Sequence, residues 1–459
     1  MKKSFSLLIV CGIFAAFLFS GCKKDDDPQL KLSESELVFT GMETKSLFLS
    51  VEPYKKCTYQ VTSYPKWLEI NPVDGIFNSA EIHELKITPI YDVMQHGVYE
   101  GNIVIASTLG EKTVHVKCIV IHHLYERKIR LESDVIDVEY SRKKEMMVYV
   151  ASNPMKLYFF YTKTNAFESI DLDFTPTCIS ISPDQNYAVV GHEAHISYVD
   201  LVNKNVIRTY KVSCDVFDIV FGDNNWAYVF PKSDNWEDIR CIDMNLPNDN
   251  ETLHTGAPSI SGNTRARLFP AGGFIYGADT NLLPSDIEKY SIKNGTAEYL
   301  YDSQYHGTYP MEGNLWFSED GSRIFTRGQT VVTASQNKSY DMLYNGTIVM
   351  PDFDYYSYIQ WLDHSSNATN LYILAGKYYW ENDVYPFLYI HDASNLSFKK
   401  KIALEKYSVG NNQSGMKEYD AIPYFVFSNS NGDEVVVVTK AKDSGLEHEW
   451  AIEKITITD

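Results

Sequence analysis

Basic residues are scarce in this sequence relative to acidic ones. Its 459 residues include 41 lysines and arginines against 60 aspartates and glutamates, which gives a formal net charge of −19. Nucleic acids and anionic headgroups attract cationic surfaces, so this balance argues against both as partners. The length is enough for two or three domains.

Cysteines are few, and their spacing suits no shared structural role. Seven occur, of which Cys11 and Cys22 lie near the N-terminus; the others are Cys57, Cys118, Cys178, Cys214 and Cys241. An odd number without a C-x-x-C spacing argues against a disulfide framework or a zinc site. Cys57 and Cys118 could pair if their strands are neighbours, but buried thiols are the favoured interpretation.

Short catalytic motifs are missing as well. The sequence has no G-x-S-x-G, H-E-x-x-H or P-loop pattern. His192 and His195 have only Glu193 nearby, and Asp352 with Asp354 falls short of the roughly six to eight oxygens that calcium requires. We therefore expect no metal and no cofactor. The sequence favours a non-enzyme, although catalytic residues gathered from distant segments would leave no motif.

The N-terminus has the parts of a secretory signal. Met1-Lys2-Lys3 precedes an apolar run from Ser4 to Phe19, which ends at Ser20-Gly21-Cys22. The run is short for a transmembrane helix, which needs about 20 apolar residues. Ser20-Gly21-Cys22 resembles the lipobox of bacterial lipoproteins, which implies removal of residues 1–21 and an acyl anchor on Cys22.

A charged tether is predicted directly after this cysteine. Residues 22–28 include two lysines and then Asp25-Asp26-Asp27, which favours a solvated segment. The segment also resembles the export tag of Bacteroidetes lipoproteins. That resemblance implies a lipid-anchored protein of the outer membrane, exposed on the cell surface; the periplasmic face is the alternative.

Residues 29–122 predict a small β-sandwich. Short alternating runs are separated by polar turns, and no helical period is convincing. The candidate strands are Leu37–Phe39, Ser46–Val51, Cys57–Ser63, Glu84–Pro89, Gly97–Ser107 and Lys112–Ile121. About ninety residues with some seven short strands is the size of an immunoglobulin-like domain.

Pro65–Ile70, Asp74-Gly75 and Gly97–Ile103 sharpen this prediction. Together they resemble the BACON module of Bacteroidetes proteins, which implies either carbohydrate binding or a spacer role. Trp67 is predicted to lie in the core, since a buried tryptophan commonly anchors such sandwiches. We interpret the domain as a stalk.

Residues 123–459 repeat weakly at about 40–50 residues, the period of β-propeller blades. The clearest unit is Thr177–Val212, with an inner turn at Pro183–Asn186. Equivalent turns are Ser141–Lys144, Gly222–Asn225, Pro270–Gly273, Ser318–Gly321 and Ser428–Gly432. These turns resemble those of YVTN-type seven-bladed propellers, and the units number seven. The fold class is therefore all-β: a sandwich followed by a seven-bladed β-propeller.

The last unit stops after its third strand, at Asp459. Arg127–Glu132 precedes the first unit and belongs to no blade of its own. We expect this segment to supply the outer strand of the last blade, because closure removes an open sheet edge.

Loops on one propeller face are predicted to be long and aromatic, whereas the turns on the other face are uniformly short. Loops on a rigid scaffold are where function usually lies. The long loops are Pro231–Asp238, Asp302–Asn314, Pro351–Tyr358, Lys377–Pro386 and Lys406–Ala421. Their candidate ligand-binding residues are Trp236, Tyr305, Tyr309, Tyr355, Tyr356, Tyr378, Trp380 and Tyr385.

Aromatic rings beside Asp, Asn and Glu suit sugars, because the ring stacks on the sugar and the polar groups bond its hydroxyls. The sequence favours a surface lipoprotein that binds glycan as an accessory to polysaccharide capture. The alternatives are a protein–protein scaffold in an envelope complex and a propeller lyase or hydrolase. Fold alone cannot choose among them.

Overall fold

The structure is a computed structural model that describes most of the chain. The described residues are 27–39, 44–52, 56–78, 81–90, 94, 97–120, 128–248, 250–280, 282–311, 313–377, 385–411, 415–446 and 448–457. Cys22, Tyr378 and Trp380 lie outside them. Across the described part of the chain, no helix is long and apolar enough to cross a membrane.

By its contacts the chain divides into two compact units. The first, here the N-terminal unit, comprises the described residues as far as Val120 together with Gly410, Asn411, Gly415 and Met416. The second, here the repeat unit, comprises the described residues of 128–409 and 417–457.

The N-terminal unit consists of two β-sheets. One contains Gln29–Leu32, Lys45–Glu52, His83–Pro89 and Leu68–Asn71; the other contains Glu36–Phe39, Gly110–Val120, Gly97–Ser107, Cys57–Ser63 and Asp74–Phe77. Burial alternates along the strands, as in Lys45–Glu52, so each sheet has one apolar face. Rings of the two sheets meet where Tyr59 lies 5.2 Å from His83.

Two details of the N-terminal unit concern earlier predictions. Trp67 is only partly buried, with its ring 5.9 Å from that of Tyr99, so its predicted place in the core is wrong. Cys57 and Cys118 are both buried and neither forms a disulfide, which confirms the buried-thiol interpretation for this pair.

The repeat unit contains seven four-stranded antiparallel sheets, numbered here from 1 to 7. Sheet 1 contains Asp137–Ser141, Met146–Ser152, Met155–Tyr161 and Ala166–Asp171. Sheet 2 contains Pro176–Ile181, Tyr187–His192, His195–Asp200 and Asn205–Lys211. Sheet 3 contains Val216–Phe221, Trp226–Pro231, Arg240–Asp243 and Thr252–Leu253. Sheet 4 contains Arg265–Leu268, Phe274–Ala278, Ile287–Ser291 and Glu298–Asp302. Sheet 5 contains Leu315–Phe317, Arg323–Thr326, Thr330–Thr333 and Tyr344–Thr347.

Sheets 6 and 7 complete the series. Sheet 6 is Ser357–His364, Asn370–Lys377, Phe387–Asp392 and Phe398–Ala403; sheet 7 is Ala421–Ser428, Glu434–Ala441, Trp450–Thr456 and Lys128–Arg130. Two short strand pairs, Trp236–Glu237 with Ile260–Ser261 and Tyr407–Asn411 with Gly415–Tyr419, lie outside the seven sheets. A 3-10 turn at Lys338–Tyr340 lies between the third and fourth strands of sheet 5.

Strand position within a sheet explains the apolar pattern. Second strands such as Met146–Ser152 and Phe274–Ala278 are buried along almost their whole length, because neighbouring sheets cover both of their faces. Fourth strands such as Ala166–Asp171 are mostly exposed. Continuous apolar runs therefore mark the inside of the repeat unit and polar strands mark its rim.

A hydrophobic cluster lies at each junction between consecutive sheets. Examples are the cluster of sheets 1 and 2 around Phe159 and Val190, and that of sheets 5 and 6 around Phe325 and Tyr389. The others join sheets 2 with 3, 3 with 4, 4 with 5 and 6 with 7. A seventh cluster, which includes Phe427, packs sheet 7 against sheet 1. The sheets thus form a closed ring.

The ring is held together where its two chain ends meet. Lys128–Arg130 is the outer strand of sheet 7 and pairs with Trp450–Thr456. The sequence predicts this position for the segment Arg127–Glu132. Lys128 Nζ lies 3.8 Å from Glu453 Oε2, and neither side chain is accessible to solvent. Lys454 Nζ also donates a 2.7 Å hydrogen bond to the carbonyl of Thr162 in the turn after the third strand of sheet 1.

The turns between the first and second strands of sheets 2, 5 and 6 share one hydrogen-bonding pattern. In sheet 2, Ser182 Oγ donates to Asp184 Oδ1 at 2.5 Å and accepts from the Tyr187 amide at 3.0 Å. Ser318 with Asp320 in sheet 5, and Ser365 with Asn367 in sheet 6, repeat the first contact at 2.6 and 2.7 Å. Such side-chain bonds to nearby backbone favour turns over continued strands.

We expect loss of the closing strand to destabilise the repeat unit. A chain beginning at Asp134 lacks Lys128–Arg130 and the buried Leu131. It should be less stable than a chain beginning at His123 by on the order of 5 kcal/mol, because a sheet edge and a buried leucine site are both lost. Thermal unfolding of the two chains measures the difference. Equal melting temperatures would contradict closure by this strand.

Candidate functional site

The first strands of the sheets surround the centre of the ring and run in one direction. A cavity of about 380 Å³ is lined near the beginnings of these strands, for example by Asp137, Phe217 and Arg265. A second cavity, of about 430 Å³, is lined near their ends by Phe221 and Asp363. The ring therefore has a start face, which also carries the second-to-third loops, and an end face, which carries the short first-to-second turns.

The cavity at the start face, here the Arg cavity, brings together polar and aromatic side chains from strands of sheets 1, 3, 4, 6 and 7 and from loops next to sheet 5. Its polar lining consists of Asp137, Arg265, Arg267, Thr280, Asn314, Arg327 and Gln360. Its aromatic lining consists of Phe217, Trp361, Tyr424 and Phe425. Three arginines in one cavity stand out in a chain that carries a net charge of −19.

Arg265 and Arg267 point from the first strand of sheet 4 toward the same carboxylate. Their Nη1 atoms lie 3.6 and 3.4 Å from the buried carboxylate of Asp218. Asp218 also accepts the Ala266 amide at 2.9 Å, which ties sheet 3 to sheet 4. The Arg265 guanidinium stacks 4.3 Å above the ring of Phe217. Both arginines are thus held in place, and their side chains remain 32% and 24% exposed.

Arg327 enters the cavity from the second-to-third loop of sheet 5. Its guanidinium carbon lies 3.8 Å from the ring centre of Tyr358, at the start of sheet 6. Its backbone amide donates to the Asn314 carbonyl at 3.0 Å, which places it beside the predicted loop Asp302–Asn314. The residues that the structure describes offer this guanidinium no carboxylate.

Two carboxyl groups on the first strand of sheet 1 line the two cavities. Asp137 lines the Arg cavity and Glu139 lines the second one. Loss of solvation raises the pKa of Asp137 to about 6, although Arg265 opposes the rise. Loss of solvation raises the pKa of Glu139 to about 8, again opposed by an arginine, Arg267. Glu139 therefore holds its proton at neutral pH more often than not.

The end face is bridged by Arg142. Its Nη1 lies 2.8 Å from Glu319 of sheet 5, and its Nη2 lies 2.6 Å from Asp363 of sheet 6. The same side chain donates to the carbonyls of His364 and Ser428 at 2.8 and 3.2 Å. One arginine thus ties four sheets together at the end face. We consider the start face, where three other arginines line a cavity, as the candidate entrance.

Three of the predicted ligand-binding aromatics are exposed. Tyr355 is 92% exposed, Tyr356 is 38% exposed, and their rings meet edge to face at 5.3 Å. Trp236 is 55% exposed and lies in the short strand Trp236–Glu237, which pairs with Ile260–Ser261. All three lie in second-to-third loops or sheet-to-sheet connections, the loops of the start face.

Three others are engaged by their neighbours. Tyr309 stacks on Tyr344 at 4.3 Å, and Tyr305 lies edge-on to Tyr309 at 5.0 Å while its hydroxyl accepts the Tyr344 amide. Tyr385 stacks on Phe353 at 5.7 Å. Tyr378 and Trp380 fall outside the described residues.

Other groups considered in the sequence have structural partners. His192 is buried, with Nε2 2.9 Å from Ser197 Oγ and Nδ1 3.1 Å from the Thr175 carbonyl. Asp352 and Asp354 each pair with a different lysine, Lys401 and Lys377. These contacts explain the three side chains without a ligand.

Asp286, Asp302 and His306 form an acidic cluster at the start face. Their potential ligand atoms all lie within 4.8 Å of one another. His306 Nδ1 lies 2.8 Å from Asp286 Oδ2, so an ion pair already accounts for two of the three side chains.

Sequence reasoning missed the Arg cavity. Arg265 and Arg267 lie on one strand of sheet 4 and Arg327 lies in a loop of sheet 5, so only the ring brings all three together. No single spacing in the sequence marks the three arginines. The prediction of uniformly short turns on the end face was wrong for sheets 3 and 5, where Met244–Glu251 and Ala334–Leu343 are longer.

Comparison with solved structures identifies the fold of the repeat unit. Hydrazine synthase of Kuenenia stuttgartiensis has a TM-score of 0.52 and 13% identity, over 72% of this chain and 97% of that one. The β-propeller domain of Myceliophteria thermophila Cps50 (Swd1) has a TM-score of 0.53 and 10% identity, over 72% of this chain and all of that one. These likenesses show a β-propeller fold and nothing of function. No protein-family model matches the sequence, and no curated protein is significantly similar to it.

We expect Glu139 to make stability fall as pH rises. Its folded-state pKa of about 8 lies above its unfolded value, so folding takes up a proton between about pH 4.5 and 8. The contribution of Glu139 to the free energy of unfolding is fully present below about pH 4.5 and is lost as pH rises to about 8. Glu139→Gln should remove on the order of 4 kcal/mol of this pH dependence.

Thermal unfolding at pH 5 to 8.5 measures the effect. Glu193→Gln, which replaces an exposed glutamate of sheet 2, is the matched control and should keep the original slope. Identical slopes for Glu139→Gln and the unsubstituted chain would show that Glu139 is ionised throughout.

Proposed function

We propose that this protein is a surface-exposed lipoprotein whose β-propeller binds glycan as a non-catalytic accessory to polysaccharide capture. In this proposal the seven sheets of the repeat unit are the seven blades of the propeller, and the N-terminal unit is a BACON-like, immunoglobulin-like stalk. Acyl chains on Cys22 hold the protein at the outer membrane. The glycan, or an envelope protein that carries it, is the partner.

The Arg cavity carries this proposal. Ligand pockets for small molecules range over about 300–1,000 Å³, and the cavity volume of about 380 Å³ accommodates one or two sugar rings. Amide, hydroxyl and guanidinium groups from Asn314, Gln360, Thr280 and Arg327 alternate with aromatic surface such as Trp361. This mixture is what sugar recognition requires, because a sugar ring has apolar faces and a rim of hydroxyls.

The loops of the start face extend this potential site. Tyr355, Tyr356 and Trp236 expose ring surface on the same face on which Thr280, Asn314 and Arg327 line the cavity. A glycan with one residue in the cavity could therefore lay neighbouring residues across exposed rings.

Hydrolysis or elimination is the second candidate. Asp137 and Glu139 lie two positions apart on one strand, so both side chains point to the same side of the strand. With pKa values of about 6 and about 8, Asp137 is mostly ionised and Glu139 is mostly protonated at neutral pH. Acid–base catalysis uses such a pair of carboxyl groups. Both oxygens of Asp137 accept backbone amides, which favours a structural role for it.

We expect the purified full chain to bind glycans on an array of plant and host polysaccharide fragments. Tyr355→Ala and Trp236→Ala should each lower affinity by about 5- to 30-fold, which corresponds to about 1–2 kcal/mol of lost stacking. Tyr340→Ala is the matched control, because Tyr340 is 66% exposed but lies in a third-to-fourth turn, on the end face.

The array also separates the alternatives. Absence of binding across the whole array contradicts the proposal and leaves a protein scaffold as the better account. Release of shortened product from a bound glycan, abolished in Glu139→Gln, would establish the enzymatic candidate instead. Equal losses in Tyr340→Ala and Tyr355→Ala would show that the start face is not the binding face.

A further inference from the structure

We infer that the Arg cavity binds the carboxylate of a single acidic sugar residue, with Arg265, Arg267 and Arg327 as the groups that recognise it. This inference rests on the proposed glycan-binding function and specifies the class of sugar. It depends on the supply of unused hydrogen-bond donors, on their fixed orientation and on the local charge.

Donors in the cavity outnumber acceptors. Each guanidinium has five N–H groups, and Asp218 takes up contacts from one nitrogen each of Arg265 and Arg267. Arg267 makes one further bond, at 2.8 Å, to the Ala266 carbonyl. Arg327 has a ring contact but no ion pair among the residues that the structure describes. An anion that enters the cavity would find several N–H groups without an acceptor.

The arginines are also held in advance of binding. Arg265 stacks on Phe217, Arg327 stacks on Tyr358, and Arg267 lies 5.7 Å from the ring centre of Trp361. A contact between a guanidinium and an aromatic ring takes up no oxygen acceptor, so the N–H edge stays available. That edge matches the two oxygens of a carboxylate, a geometry that a lysine ammonium cannot offer.

The local charge favours one anion. Three arginines face the carboxylates of Asp218 and Asp137, while the raised pKa of Glu139 keeps that neighbouring group largely neutral at pH 7. The cavity is therefore cationic by about one charge, which one carboxylate would neutralise. The rest of the protein is strongly acidic and would repel a polyanion over a Debye length of about 8 Å.

Groups suited to sugar hydroxyls lie beside the arginines. The Gln360 side chain lines the cavity, and no hydrogen bond joins it to another described residue. The side-chain oxygen of Asn314, Oδ1, accepts a 2.8 Å hydrogen bond from the Leu315 amide, which leaves the side-chain N–H groups of Asn314 for a ligand. A carboxylate next to ring hydroxyls is the chemistry of a uronic acid or another acidic sugar, rather than of a free fatty acid or a nucleotide.

The test uses pairs of glycans that differ in one group. Each acidic oligosaccharide is measured by calorimetry beside its carboxyl-reduced, neutral counterpart, with the full chain at 50 and 500 mM NaCl. We expect the acidic member to bind at least tenfold more tightly than the neutral one. We also expect the acidic member to lose affinity at high salt.

Variants assign the preference to the cavity. Arg327→Gln should lower affinity for the acidic member at least tenfold and affinity for the neutral member by much less, and Arg327→Lys should recover only part of the loss. Arg208→Gln is the matched control, because Arg208 lies on the outer strand of sheet 2. It should bind as the unsubstituted chain does. Melting temperatures confirm that each variant is folded.

The outcomes separate this inference from the proposed function. Equal affinity for acidic and neutral members, unaffected by Arg327→Gln, overturns the carboxylate inference and leaves glycan binding intact. Binding of acidic members that is equally lost in Arg208→Gln overturns the placement in the cavity. No binding of any member overturns both the inference and the glycan proposal.

Discussion

The pairing of Lys128–Arg130 with Trp450–Thr456 is the constraint on which the repeat unit depends. Seven hydrophobic clusters join the seven sheets, and the cluster between sheets 7 and 1 exists only because both chain ends meet there. Without that junction, two sheets would each present an apolar face to water. The centre of the ring would also open. The strand pairing, the Lys454 bond to Thr162 and the Arg142 bridge all act across the region where the chain begins and ends the ring.

Closure also makes the two faces chemically different. At the end face, Arg142 makes four contacts, to sheets 5, 6 and 7. At the start face, three arginines converge but are only partly neutralised by Asp218. The same residue type thus bridges sheets at one face and leaves N–H groups for an anion at the other. The difference follows from the number of acceptors at each end, not from the arginines themselves.

The sequence predicted the parts of this fold that depend on neighbouring residues. The unit Thr177–Val212 and turns such as Pro183–Asn186 were recognisable because local pattern and hydrogen bonding determine them. The turn after His364 was missed, although Ser365 and Asn367 bond to each other as Ser318 and Asp320 do. The burial of Trp67 was wrongly predicted and the Arg cavity was missed. Both depend on contacts between segments that lie far apart in the sequence. Exposure of Tyr355 could be anticipated, whereas the stacking of Tyr309 on Tyr344 could not.

The central claim is that the centre of a closed ring, on its start face, receives the ligand. A crystal structure of the chain soaked with whichever glycan it binds most tightly tests this claim most directly. The account predicts sugar density within the Arg cavity, with a carboxylate in hydrogen-bond contact with Arg327 and at least one of Arg265 and Arg267. Density confined to the outer strands, to the end face around Arg142 or to the N-terminal unit would contradict it.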